Sequence, residues 1–223
     1  SLVYKAINAA LPVVSVLIFA ISIYLMKSTS AVTGYQFNWW LYYSLLVFSL
    51  ALHEVGHLVA GLAYGYKISD TGILLLGIIP IGAYVAHENK KDASRSEKVQ
   101  FALAGVEMNL LIAGICLLMA IQHYSLSLVL VSVANINVVF AGINLLPALG
   151  LDGESALSAV FGVNSISEVA NKCLLNKKRR QRLLRSGFSG YACYCVFAFT
   201  LISKAILWLL IGLEIASVFF NIF

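Results

Sequence analysis

His53-Glu54-Val55-Gly56-His57 sets two imidazoles four residues apart with a carboxylate beside the first. On a helix, residues four apart share a face, so both rings can reach one ion, and the H-E-x-x-H spacing is a zinc-site signature in which the glutamate is a base and not a ligand. A dication held there lowers the pKa of a water toward about 7. Glu54 is placed to take the proton of that water and return it to a leaving amine, which is the chemistry of peptide-bond hydrolysis. The surrounding sequence is apolar, and a charged side chain at the centre of a membrane helix costs about 2.5 to 3.5 kcal/mol on insertion scales. A bound dication offsets that cost, whereas a plain interhelical hydrogen-bonding role does not explain the spacing.

A catalytic zinc site usually has three protein ligands and an open fourth position. The candidates for the third are His87, His123, Glu107, Asp152, Glu154 and Glu214. His123 falls at the opposite end of its predicted span from His57, and Glu214 has no motif around it. Asp152 follows Asn144-Leu-Leu-Pro147-Ala-Leu-Gly150-Leu, where Pro147 and Gly150 break a helix near the predicted depth of His57. Non-helical backbone at that depth must be buried in protein or line a cavity, so Asp152 reads as the third ligand. Glu107 is expected to bond within the bundle and Glu154 to favour a helix N-terminus.

These two motifs together resemble the site-2 protease family of intramembrane zinc metalloproteases, which joins H-E-x-x-H to an N-x-x-P-x-P-x-x-D-G-like segment two spans later. Ile79-Pro-Ile-Gly-Ala-Tyr-Val85 is similar to the family's glycine-containing strand, and Ala104-Gly-Val-Glu-Met-Asn109 to its A-G-P-x-x-N helix start. The resemblance covers roughly residues 45–160. It implies His53, His57 and Asp152 as ligands of Zn2+, Glu54 as the catalytic base, and Asn144 as a donor to the developing oxyanion or, equally, to a neighbouring helix. Leu149 and Val106 stand where the family has prolines, which changes the expected local backbone and leaves the ligands in place.

Positioning these groups falls to membrane helices. Apolar residues make up 61% of the 223-residue chain and charged residues 11%, with a mean hydropathy of +0.90. A soluble core of this size cannot hide so much apolar surface. A crossing helix needs about 20 apolar residues, and suitable stretches fall at residues 7–26, 38–63, 98–121, 126–147, 187–203 and 205–222, with Lys204 as the turn between the last two. The first stretch lacks a cleavage site leading into a soluble domain and reads as a retained helix. Ser1 stands where an initiator Met is expected. Ile73 to Val85 is too short and too interrupted by Gly and Pro to cross, and suits a strand or hairpin at the membrane surface. An unpaired edge there could receive an extended substrate as an added strand.

With both termini cytoplasmic, all of the fifteen basic residues except Lys27 and Lys204 fall on the inner side, as the positive-inside rule requires. The net charge of +5 then needs no nucleic acid, because the run from Lys172 to Arg185 reads as a solvated helix facing the lipid bilayer. Cys116, Cys173, Cys193 and Cys195 lack paired C-x-x-C spacing and read as packing residues.

The sequence thus describes an all-α polytopic membrane protein of about six helices with a small surface strand or hairpin after the second. It forms a single membrane domain over 1–223 with a catalytic core at 45–160. The expected activity is zinc-dependent cleavage of transmembrane proteins or small membrane peptides, with the active site toward the cytoplasmic side. An inactive zinc-binding scaffold is the alternative, and the carboxylate of Glu54 is the feature it leaves without a use.

Overall fold

A computed structural model describes residues 2–26, 39–76, 79–88, 92–123, 126–185 and 188–220. Ser1, Lys27, Lys90 and Lys91, on which parts of the sequence reading rest, lie outside the described residues. The chain divides into two compact units, Ser1–Ile143 and Asn144–Phe223.

The first unit contains α1 (Leu2–Met26), α2 (Trp39–Tyr64), the strands β1 (Ile68–Leu76) and β2 (Ile79–His87), α3 (Arg95–Gln122) and most of α4 (Ser127–Asn144). Small residues let its helices approach closely. A Cβ on Gly56 of α2 would stand 2.5 Å from the Ala104 carbonyl oxygen of α3, and one on Gly114 of α3 would stand 2.9 Å from the Phe19 backbone nitrogen of α1. Such approach supplies van der Waals contact where lipid offers no hydrophobic driving force between helices. Among the described residues, an internal polar contact joins two of these helices: the buried Asn137 amide of α4 donates to Ser49 Oγ of α2 at 3.0 Å. Apolar side chains such as Phe48 and Val139 point outward, as lipid-facing surfaces do.

The strands form a two-stranded antiparallel sheet with Thr71 opposite Val85 and Ile73 opposite Ala83. This is the expected hairpin between the second and third long helices, and β2 is the strand that packs on α2. A capping box starts α3: Ser94 Oγ accepts from the Glu97 amide at 3.2 Å, and the Glu97 carboxylate accepts from the Ser94 amide at 2.7 Å. Two orphan donors of the helix N-terminus are satisfied reciprocally.

The second unit holds α5 (Asp152–Phe161), α6 (Ile166–Leu174), α7 (Lys177–Leu184) and α8 (Phe188–Phe220). Ile166 and Ala170 of α6 are fully buried in a cluster with Phe197 of α8. The basic α7 buries none of its residues, consistent with a solvated helix.

Trp40–Tyr64, Arg95–Gln122, Ser127–Asn144 and Ser189–Ile206 are each long and apolar enough to cross a bilayer, and α1 contributes a shorter apolar stretch, Ala10–Ile21. The protein is an integral membrane protein. One expectation fails: the predicted break at Lys204 does not exist, and the two final crossings are one continuous helix of 33 residues. Lys204 has neither Pro nor Gly beside it, and a lone lysine removes no backbone hydrogen bond, so nothing interrupts the helix.

Candidate metal centre and active site

His53, Glu54 and His57 lie on one stretch of α2 whose helical rise brings the two rings to the same side. Their Nε2 atoms face each other at 3.3 Å, and both residues are buried. The opposite ring nitrogens are engaged by α3. His57 Nδ1 lies 3.0 Å from the Phe101 carbonyl. A carbonyl only accepts, so Nδ1 carries the proton and Nε2 keeps a lone pair. His53 Nδ1 lies 3.0 Å from the Asn109 side-chain amide. With the amide nitrogen turned to the ring, Asn109 Oδ1 is left buried without a partner. The opposite amide orientation makes Oδ1 the acceptor of the His53 Nδ1 proton and removes that cost.

Both imidazoles then present Nε2 lone pairs to the same point. Two lone pairs at 3.3 Å repel unless a cation lies between them, and two nitrogens at roughly 2.0–2.1 Å from a tetrahedral zinc are themselves about 3.3 Å apart. The donor set therefore fits a zinc ion, with Asn109 and the Phe101 carbonyl as the partners that fix tautomer and ring orientation.

Gly105 makes room for this pair. A Cβ there would stand 2.4 Å from His53 Nε2 and 2.6 Å from His57 Nε2. The backbone of α3 thus forms the floor under the two rings. The aromatic ring of Phe101 extends the support outward: it stacks on Tyr66 at 4.6 Å and lies 4.4 Å from His87 and 5.6 Å from His57, measured between ring centroids. Burial of the His87 ring pushes its pKa below the ordinary histidine value. His87 is thus a neutral partner of this aromatic group.

The Glu54 carboxylate reaches to the sheet, where its Oε2 accepts from the Val85 amide at 3.1 Å. Glu107 is buried on α3, and His123 caps the far end of that helix.

In the second unit, Asn144 closes α4 and Asp152 is the first residue of α5. The connecting turn places Leu149 at φ 58° and Gly150 at φ 78°. Proline is fixed near −65° and cannot adopt the Leu149 conformation, so the missing second proline of the motif corresponds to a real difference in this turn. Gly153 is required for close approach: a Cβ there would stand 2.1 Å from the Leu145 carbonyl oxygen. Glu154 does more than favour the helix start. Its carboxylate accepts from the Gly150 amide at 2.9 Å and from Ser165 Oγ at 3.1 Å. Burial pushes its pKa up, but hydrogen bonding to the carboxylate outweighs burial and holds it below the ordinary value. Glu154 ties the Asp152 turn to the start of α6.

Sequence reading found His53, Glu54 and His57 but assigned nothing to Asn109, Gly105 or Phe101. The signal was present for the first two, since both belong to the Ala104–Asn109 echo. The role of the Phe101 carbonyl had no signal, because a backbone acceptor carries no residue preference.

The family model for Peptidase family M50 matches residues 42–128. That match takes in most of α2, the sheet and α3, so the two imidazoles and the Phe101 and Asn109 groups that engage them lie within the matched residues. A curated relative, a zinc metalloprotease of Methanocaldococcus jannaschii, is 33% identical over 127 residues. The alignment takes in 55% of this chain and 35% of the relative, so the chain spans about a third of the length of that protein. A solved structure, the site-2 protease from Methanocaldococcus jannaschii, aligns at 21% identity over 86% of each chain with a TM-score of 0.47. The family match and the curated relative support the resemblance to site-2 proteases drawn from the motifs.

Proposed function

We propose that this protein is an intramembrane zinc metalloprotease that hydrolyses peptide bonds within or near transmembrane segments. The observation that carries the reading is the pair of buried Nε2 atoms at 3.3 Å, each with its Nδ1 engaged by α3, on the helix that also carries Glu54. A metal site of purely structural use has no need of that carboxylate.

His53 and His57 would hold the ion, and Asp152 would complete the ligand set. Support for Asp152 comes from its place after a Pro- and Gly-broken helix end and from the turn that Glu154 and Gly153 fix immediately around it. When bound, zinc supplies Lewis acidity and a water that ionises near neutral pH. Glu54 takes the proton of the attacking water and delivers it to the leaving amine. Asn144, at the end of α4, would donate to the oxyanion as the carbonyl becomes tetrahedral. Residues 45–160 form the catalytic core in this reading.

A transmembrane helix hides its carbonyls in its own hydrogen bonds, so the scissile segment must first be extended. The edge of β2 offers replacement partners for such a segment. The positive-inside distribution supports cytoplasmic termini and an active site toward that side. Transmembrane proteins and small membrane peptides both fit these requirements.

The test is bound zinc and cleavage of membrane segments by the purified protein. Glu54→Gln is expected to keep zinc and lose cutting, and Asp152→Ala to lose zinc. Full activity of Glu54→Gln would remove the base and with it this reading.

A further inference from the structure

The backbone of β2 is engaged by β1 on one side, and on the other side its Val85 amide donates to Glu54 at 3.1 Å. An amide directed at α2 is not spent on β1. The Thr71–Val85 pair is therefore of the kind that exchanges no backbone bonds, and both backbone groups of Val85 face away from β1. Pairing is regular from Val85 to Ala83, so Ala83, two residues away, exposes its backbone on the same edge. The outer edge of β2 at Val85 is thus capped by a side chain of the protein itself, that of the residue placed to act as the base.

We propose that Glu54 occupies the substrate's place on β2 in the resting protein, and that an extended substrate segment displaces it by taking over the Val85 amide. This rests on the reading of the protein as a protease and adds to it a positioning role for the Val85 backbone. A substrate carbonyl replaces the carboxylate as acceptor, the strand keeps its hydrogen bond, and the carboxylate is released for proton transfer. A bond to an ionised acceptor is roughly twice as strong as one to a neutral carbonyl, so a single carbonyl exchanges poorly. A segment long enough to pair with Ala83 as well compensates. The base is released only when extended chain, and not merely water or a helix, lies along the strand. The same arrangement blunts an exposed edge against pairing with other proteins.

The test is a double-substitution cycle on peptide binding, read without turnover. A fluorescein-labelled transmembrane peptide with a Gly- and Asn-containing centre is titrated against the full-length protein in detergent, and anisotropy is recorded before cleavage. Glu54→Ala is expected to tighten binding about 5- to 10-fold, because the competitor for the amide is gone. In a Val85→Pro background the same substitution is expected to change binding less than about twofold, since no amide remains to compete for. Proline is tolerated where an edge amide faces away from the ladder. Should Val85→Pro fail to fold, replacing Val85 by its α-hydroxy acid removes the N–H while keeping the side chain.

Equal binding by wild type and Glu54→Ala, or an equal gain in both backgrounds, overturns the proposal. Cleavage by wild type is measured in parallel with the same peptide. A protein that cuts but shows no dependence of binding on Glu54 defeats the displacement idea alone, whereas one that neither binds nor cuts defeats the protease reading and this proposal with it.

Discussion

The Nε2 atoms of His53 and His57 lie 3.3 Å apart with their lone pairs converging, because Asn109 and the Phe101 carbonyl hold the Nδ1 side of each ring. The pair is a prepared half-site for a dication. Its preparation is the work of α3, not of the helix that carries the motif.

Asn109→Leu is therefore expected to weaken zinc binding about 10- to 100-fold while the helices remain assembled. The substitution preserves volume and removes the acceptor that fixes the His53 tautomer. Competition with a zinc-sensitive chelator measures the effect, and unchanged affinity would show that the His53 ring is oriented by something else.

Gly105→Ala is expected to lose zinc and activity together. Its new Cβ would meet His53 Nε2 at 2.4 Å and His57 Nε2 at 2.6 Å, so both rings must turn away from their partners. Gly142→Ala on α4 meets nothing within 4 Å and is the matched control, expected to bind zinc as the parent does. Metal content after gel filtration compares the two.

Glu54→Gln separates base from ligand. Cleavage is expected to fall by about 10²- to 10⁴-fold with bound zinc unchanged, the range typical of losing a positioned acid–base group. His57→Ala is expected to lose both. Parallel loss of zinc in Glu54→Gln would mean that the carboxylate helps to hold the ion.

His87 supplies a pH test. Its folded-state pKa lies below the ordinary 6.5, chiefly through burial against its neighbours. Between the two values the unfolded chain binds more protons than the folded one, so stability rises with pH through that window. The contribution is complete above about 6.5 and is lost as pH falls toward the folded-state value. Histidine-labelled NMR in detergent is expected to show this ring titrating below the ordinary value. In His87→Gln the corresponding loss of thermal stability on acidification should shrink, and an unaltered acid profile would show that His87 does not contribute to it.

Much of this was legible in the chain alone. The i, i+4 spacing of His53 and His57 determined that they share a helix face, because helical periodicity is a local property of consecutive residues. Apolar stretches determined α2, α3 and α4, and the Gly- and Pro-interrupted run determined that a short sheet stands between α2 and α3. Pro147 and Gly150 determined that α4 stops before Asp152. Lys204 misled, since a charge within an apolar run signals a turn only when the backbone is also given a reason to break.

Tertiary structure alone decided the partners. Phe101 and Asn109 are 44 and 56 residues from the histidines they orient, and Val85 is 31 residues from the carboxylate it binds. No local pattern records such pairings: they follow from how closely α2 and α3 approach at Gly56 and Gly105 and from which edge of β2 faces α2. A sequence can name the groups able to hold a metal, but the hydrogen bonds that choose a tautomer and engage a base depend on positions in space that only the packed helices and strands define.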